Sequence, residues 1–174
     1  PSFSMYTQIA IATSTKVILP VMADDSSRRA IQNAFSLIYG LKLPSEIYSK
    51  YAFAEKLKEV NSPLPKVYLI LKNRLTQYMG AASAYATVLQ EIDKDVLSLL
   101  ETYPKIFVFE KLKDGIIDIR DFQTTGVVSS ARGCPLQKLK SGRLDLMGKR
   151  VVVKEEYRQN CINSVQTVVD RMNM

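Results

Sequence analysis

Short apolar runs and longer amphipathic stretches alternate along the chain. Val17-Ile18-Leu19, closed by Pro20 and extended by Val21-Met22, reads as a buried parallel strand covered on both faces. Asp24-Asp25-Ser26-Ser27 follows, with N-cap candidates and acids for a first helical turn. Ile31, Phe35 and Ile38 then share one face of a helix over about 26–39, which Gly40 ends. Upstream, Ser4 caps a short helix with Met5, Ile9 and Ala12 facing inward. Downstream, 41–44 is a connector. Ser45 caps a helix over 46–60, whose Lys50, Glu55, Lys56, Lys58 and Glu59 mark a solvated side. Asn61-Ser62-Pro63-Leu64-Pro65 breaks it.

The alternation continues. Residues 66–72 read as a second buried strand, ending in Asn73-Arg74-Leu75-Thr76-Gln77-Tyr78. Gly80 introduces the longest helix, over about 81–103. Tyr85, Val88, Leu89, Ile92, Val96, Leu99 and Leu100 follow its 3.6-residue period. Pro104 ends it, and Ile106-Phe107-Val108-Phe109 reads as a third strand. Lys113-Asp114-Gly115 is a turn signal, and 116–119 a short strand. Residues 124–132 form a short helix stopped by Gly133, and 154–172 an amphipathic one with Tyr157, Cys161, Val165, Val168, Val169 and Met172 inward. Strand and helix in alternation predict an α/β fold: one domain over 1–174, with a mostly parallel sheet and helices on both faces. Ligands of such sheets gather at the C-terminal ends of the strands. Three or four strands are few for a doubly wound sheet, and Pro1-Ser2-Phe3 reads like the inside of a longer polypeptide. The expectation is a fold incomplete at its N-terminus.

Composition narrows the chemistry. The 174 residues, 47% hydrophobic, are enough for a packed core, and no run approaches the about 20 apolar residues of a membrane span. There is no histidine, so neither Cys/His zinc sites nor His-based catalytic triads can be built from this chain. Two cysteines, Cys134 and Cys161, give no disulfide framework, which fits a reducing compartment. The net charge of +7 is unevenly placed. Residues 1–110 carry 12 basic and 10 acidic residues, residues 111–154 carry 10 and 4, and residues 155–174 carry 2 and 3. The middle segment is a footprint for a polyanion or a solvated basic face.

Several segments carry a resemblance in matching order. Pro1-Ser2-Phe3-Ser4, the 9–18 stretch leading to Lys16-Val17-Ile18-Leu19-Pro20-Val21, and Asn73-Arg74 after an apolar strand are three. Gly133 and Pro135 after 119–132 are a fourth. With D-D-S-S-R-R-A-I at 24–31, N-R-L-T-Q-Y at 73–78 and D-F-Q-T-T-G at 121–126, the chain resembles the C-terminal portion of the ParA family. These are deviant-Walker P-loop ATPases, a group that also contains MinD. The resemblance implies a P-loop NTPase-like fold, ATP and Mg2+ as cofactors of the complete protein, and dimerisation when ATP is bound. It also implies non-specific DNA binding, a ParB-like protein that stimulates hydrolysis, and a role in plasmid or chromosome partitioning in the bacterial cytoplasm, at the nucleoid. The Gly-rich phosphate loop with its lysines is missing from this chain, so hydrolysis by this portion alone is not expected. Asp121 also stands where many relatives have proline.

By the same resemblance, Asn73 faces the adenine, where an amide both donates and accepts, and Asp121 and Phe122 border the base. The plainer alternatives are a turn at Asn73 and an N-cap at Asp121. Asp24 and Asp25 either help bind magnesium or cap their helix, and Arg28 and Arg29 either form a solvated face or belong to a dimer surface. Arg120, Arg132, Lys138, Lys140 and Arg143 are the candidates for DNA contact, with Lys149 and Arg150 in the same basic tract. Cys134 reads as a small buried residue. One rival reading is a non-catalytic module that binds DNA or a partner. Another is a relative acting in metal-cluster delivery or membrane-site selection. The few basic residues of the last helix weigh against a membrane partner.

Overall fold

A computed structural model describes residues 3–41, 53–75 and 84–173. Met5–Ala12 form α1, Lys16–Val21 β1, Asp25–Tyr39 α2 and Phe53–Glu59 α3. Lys66–Leu75 form β2 and Ala84–Thr102 α4; a 3-10 turn spans Pro104–Ile106. Leu112–Gly115 make the single turn α5, followed by β3 (Ile116–Arg120), α6 (Gln123–Ala131), β4 (Gly142–Leu146), β5 (Lys149–Val153) and α7 (Glu155–Met172). The first three strands make a parallel sheet in the order β1-β2-β3, while β4 and β5 pair antiparallel as a separate hairpin. The fold is therefore α/β, as the alternation of apolar runs and amphipathic stretches predicts.

The chain divides into two compact units. One comprises Pro1–Lys72 and Gln77–Ile117, the other Asn73–Thr76 and Asp118–Met174. In the first, β2 is the central strand. Neighbouring residues of a strand point to opposite faces, and Leu69 and Ile70 are both buried, so β2 is covered on both sides. Phe35 of α2 is fully buried and meets Phe107 at 5.6 Å and Tyr39 at 5.5 Å between ring centroids. Ile92, Val96, Leu99 and Leu100 of α4 complete this core.

Several sequence expectations need correction here. β1 is not covered on both faces: it is an edge strand in which only Val21 is buried. It also runs through Pro20, which an edge tolerates because its missing N–H need not join a ladder. The α1 cap at Ser4 is present, with its hydroxyl accepting from Thr7 N–H at 3.4 Å, but Met5 and Ile9 are exposed. The helix instead lays Ile11 and Ala12 against the core. Residues 106–109 are not a strand. They touch β2 through one bridge, Val67 with Phe107, and Phe107 and Phe109 spend their rings on the core, 5.1 Å apart. The third strand of the sheet is 116–120. The turn signal at 113–115 is a helical turn, and Tyr85 of α4 is exposed. The Ser45 cap, residues 46–52 of its helix, the 42–44 connector and residues 76–83 with Gly80 lie outside the described residues.

In the second unit α6 packs on the hairpin through Val128, Leu139 and Val153, with Leu144, Leu146 and Val151 partly buried around them. Of the inward set expected on α7 only Cys161 is buried; Tyr157, Val165, Val169 and Met172 are exposed. Arg158 holds the first turns of α7 instead, donating from its guanidinium to the Leu136 carbonyl at 3.2 Å and pairing with Glu155.

Candidate functional site

The three motifs that carry the family resemblance each fall at the C-terminal end of a parallel strand. After β1, Asp24 caps α2: its carboxylate accepts from Ser27 N–H at 2.7 Å, and the Ser27 hydroxyl accepts from Met22 N–H at 3.0 Å. Asp25 pairs with Arg28 at 3.0 Å and Arg29 at 2.7 Å. The Arg28 hydrogen bond leads in holding its carboxyl below the usual aspartate range, aided by the Arg29 charge. Arg28 and Gln32 also reach Asp95 on α4, at 3.4 and 3.1 Å. Both acids are thus engaged within the protein, and Arg28 ties α2 to α4.

At the end of β2 the strand continues past the expected limit through Asn73 to Leu75. Asn73 is half-buried, and its side-chain oxygen accepts from Arg74 N–H at 2.9 Å while Arg74 takes a left-handed φ of 58°. Among the described residues the amide NH2 of Asn73 makes no hydrogen bond, so it is a candidate donor. One hydrogen bond joins this strand end to the third motif: Asp121 N–H donates to the Leu75 carbonyl at 3.0 Å. Asn73 and Asp121, 48 positions apart in sequence, thereby belong to neighbouring strand ends within one unit.

The Asp121 side chain accepts from Gln123 N–H at 2.9 Å, forming the turn into α6. Asp121 thus serves the entry to the helix, although Phe122 occupies the cap position itself and makes no side-chain cap bond. Gly126 is dictated by packing. A Cβ there would lie 2.8 Å from the Phe122 Cβ, so only glycine lets Phe122 settle over the first turn of α6. Thr125, in the same motif, is buried. Asp121, Phe122, Gln123, Gly126, Val127 and Ser130 line an open depression of about 470 Å³. It offers a ring, a carboxylate and a hydroxyl along one helix face.

The DNA candidates Arg120, Arg132, Lys138, Lys140 and Arg143 are all exposed. Arg132 also donates to the Asp145 carbonyl, joining the end of α6 to the hairpin. The hairpin itself is not among the elements expected from the sequence. Arg143-Leu144-Asp145-Leu146 alternates with period two, but Lys149-Arg150-Val151-Val152-Val153 does not, so only half of the hairpin carries a strand signal in the sequence. Nor does the sequence pattern single out Lys72, buried on β2, whose ammonium donates to Asp93 Oδ2 at 2.8 Å and lies 2.7 Å from Oδ1.

Among the described residues no helix is long and apolar enough to cross a membrane. Comparison of the chain with protein families, curated proteins and solved structures yields no match.

Proposed function

We propose that this chain is the C-terminal part of a ParA-like, deviant-Walker P-loop ATPase that partitions plasmid or chromosomal DNA. The observation that carries the reading is positional. D-D-S-S, N-R-L and D-F-Q-T-T-G each fall at the C-terminal end of a strand of one parallel sheet, where α/β sheets bind their ligands. Asn73 with Asp121 and Phe122 supplies a wall for adenine. The amide donor and the ring suit a base edge and face, and the depression beside Phe122 is open to receive one. ATP with Mg2+ supplies the energy for switching when bound. The Gly-rich loop with lysines that cradles phosphates in such ATPases is not among these residues.

The basic segment supplies the DNA face in this reading. Its exposed Arg120, Arg132, Lys138, Lys140 and Arg143 neutralise phosphates without reading bases, and a ParB-like protein promotes hydrolysis and release in a homodimer at the nucleoid. Equilibrium binding of ATP to the polypeptide that carries this chain tests the wall. Asn73→Ala should weaken ATP about tenfold while leaving GTP, bound through its phosphates, little changed. Equal losses for both nucleotides, or none, contradict the assignment of Asn73 to the base.

A further inference from the structure

The tip of the β4–β5 hairpin breaks a local rule that the packing of its apolar side chain does not offset. Its loop is the pair Met147-Gly148, with φ of 51° and 78°. Positive φ at both positions defines the turn that fits a two-residue hairpin and favours Asn-Gly or Asp-Gly. An unbranched apolar side chain gains nothing from that conformation. Met147 does not regain the cost by packing either, because it is 88% exposed. Apolar residues held in unfavourable backbone at an exposed tip mark a place where function outweighs local preference.

The faces of the hairpin say what the tip meets. The register pairs Arg143 with Val152, Leu144 with Val151, Asp145 with Arg150, and Leu146 with Lys149. Leu144, Leu146, Val151 and Val153 pack inward on α6. Arg143, Asp145, Arg150 and Val152 therefore point outward, since side chains alternate across a strand. Asp145 is the acid of this face, and its carboxylate accepts from Gly148 N–H at 3.2 Å, which occupies it within the turn. Arg143, Lys149 and Arg150 are left flanking an apolar point, with Lys138 and Lys140 on the preceding segment.

We propose that the β4–β5 hairpin enters a groove of duplex DNA, with Met147 in contact with base edges and Arg143 and Arg150 on phosphates. The inference rests on the DNA-binding reading above and assigns the element that performs it. A two-stranded ribbon fits the major groove of B-form DNA, whereas the deep, narrow major groove of A-form RNA excludes it. Met147 and the exposed Val152 offer too little apolar area to anchor the hairpin in a bilayer. Apolar contact with bases is tolerant of sequence, which agrees with an arginine-flanked ribbon that carries no set of base-reading amides.

The test measures anisotropy of a labelled random-sequence duplex of about 20 base pairs against the polypeptide carrying this chain, with ATP and Mg2+, over a salt series. Met147→Asn removes the apolar side chain while suiting the turn, so the hairpin is retained. It should weaken binding roughly fivefold with the salt slope unchanged. Arg143→Ala with Arg150→Ala should weaken it at least tenfold and make the slope of log K against log salt shallower by about 2. If the unaltered protein binds duplex DNA and both variants bind equally well, the hairpin's role is overturned while the DNA-binding reading stands. If the unaltered protein does not bind duplex DNA, that reading falls and the hairpin with it. Preference for an RNA duplex or for phosphatidylglycerol vesicles over DNA also overturns the proposal.

Discussion

The two units of this chain bury their side chains on different scales. In the first, aromatic and branched residues from Val21 to Phe109 converge on β2, and the charged groups inside it are matched, as Lys72 is by Asp93. In the second, Val128, Leu139 and Val153 form a small core, while basic residues and Tyr157, Val165, Val169 and Met172 of α7 remain exposed. The first unit is a scaffold whose stability comes from apolar burial. The second offers surface, and its smaller core among the described residues predicts that it opens more easily than the first.

The largest effect expected from breaking this contrast is at Phe35. Phe35→Ala removes a fully buried ring from between Tyr39 and Phe107 and should cost about 3–5 kcal/mol in denaturant unfolding. Val153→Ala, in the smaller core, should cost about 2 kcal/mol. Its hydrogen-exchange signature should be confined to 118–174. Faster exchange throughout β2 as well would show that the two cores unfold as one. Lys72→Ala leaves the Asp93 carboxylate without its cation. Because Asp93 is partly exposed, the cost should be about 2 kcal/mol, and adding Asp93→Leu should recover much of it. A double variant no better than the single one would contradict the pairing.

These contrasts also explain what was legible in the sequence. The cap at Asp24, the apolar face of α2 and the end at Gly40 could be read directly, because helix signals are local. So could β2, whose apolar run is covered on both sides. The misreading of 106–109 has a different origin. Phe107 and Phe109 are apolar for the sake of a core assembled from α2 and α4, and nothing local separates that use from a strand. The edge position of β1 likewise depends on sheet order, which no run of residues carries. At the candidate site the residue types were legible, whereas the Leu75–Asp121 backbone bond and the contact of Gly126 with Phe122 depend on tertiary structure. The hairpin is only half legible, because 143–146 alternates whereas 149–153 does not, and Met-Gly is a poor turn signal beside Asn-Gly.

Smaller effects sharpen the account of the second unit. Gly126→Ala forces a Cβ onto Phe122 and should cost about 1–2 kcal/mol, with the loss seen first in protection of the initial turn of α6. The smallest effect is the response to acid. Hydrogen bonds from Arg28 to Asp25 and from Arg158 to Glu155 hold both carboxyls below their ordinary values. Each contributes stability that is fully present above the ordinary carboxylate range and is lost as pH falls through the lowered folded value. Asp25→Asn and Glu155→Gln should therefore slightly lower stability at neutral pH, flatten the acid limb of a stability–pH curve, and leave stability below the lowered folded values nearly unchanged.

The proposed function requires nucleotide and DNA binding to be linked in the polypeptide carrying this chain. The direct measurement is its affinity for a random-sequence DNA duplex with and without ATP and Mg2+, across salt. The account predicts binding that strengthens with ATP and falls steeply as salt rises. Affinity that is the same with and without ATP, or that does not respond to salt, would contradict it.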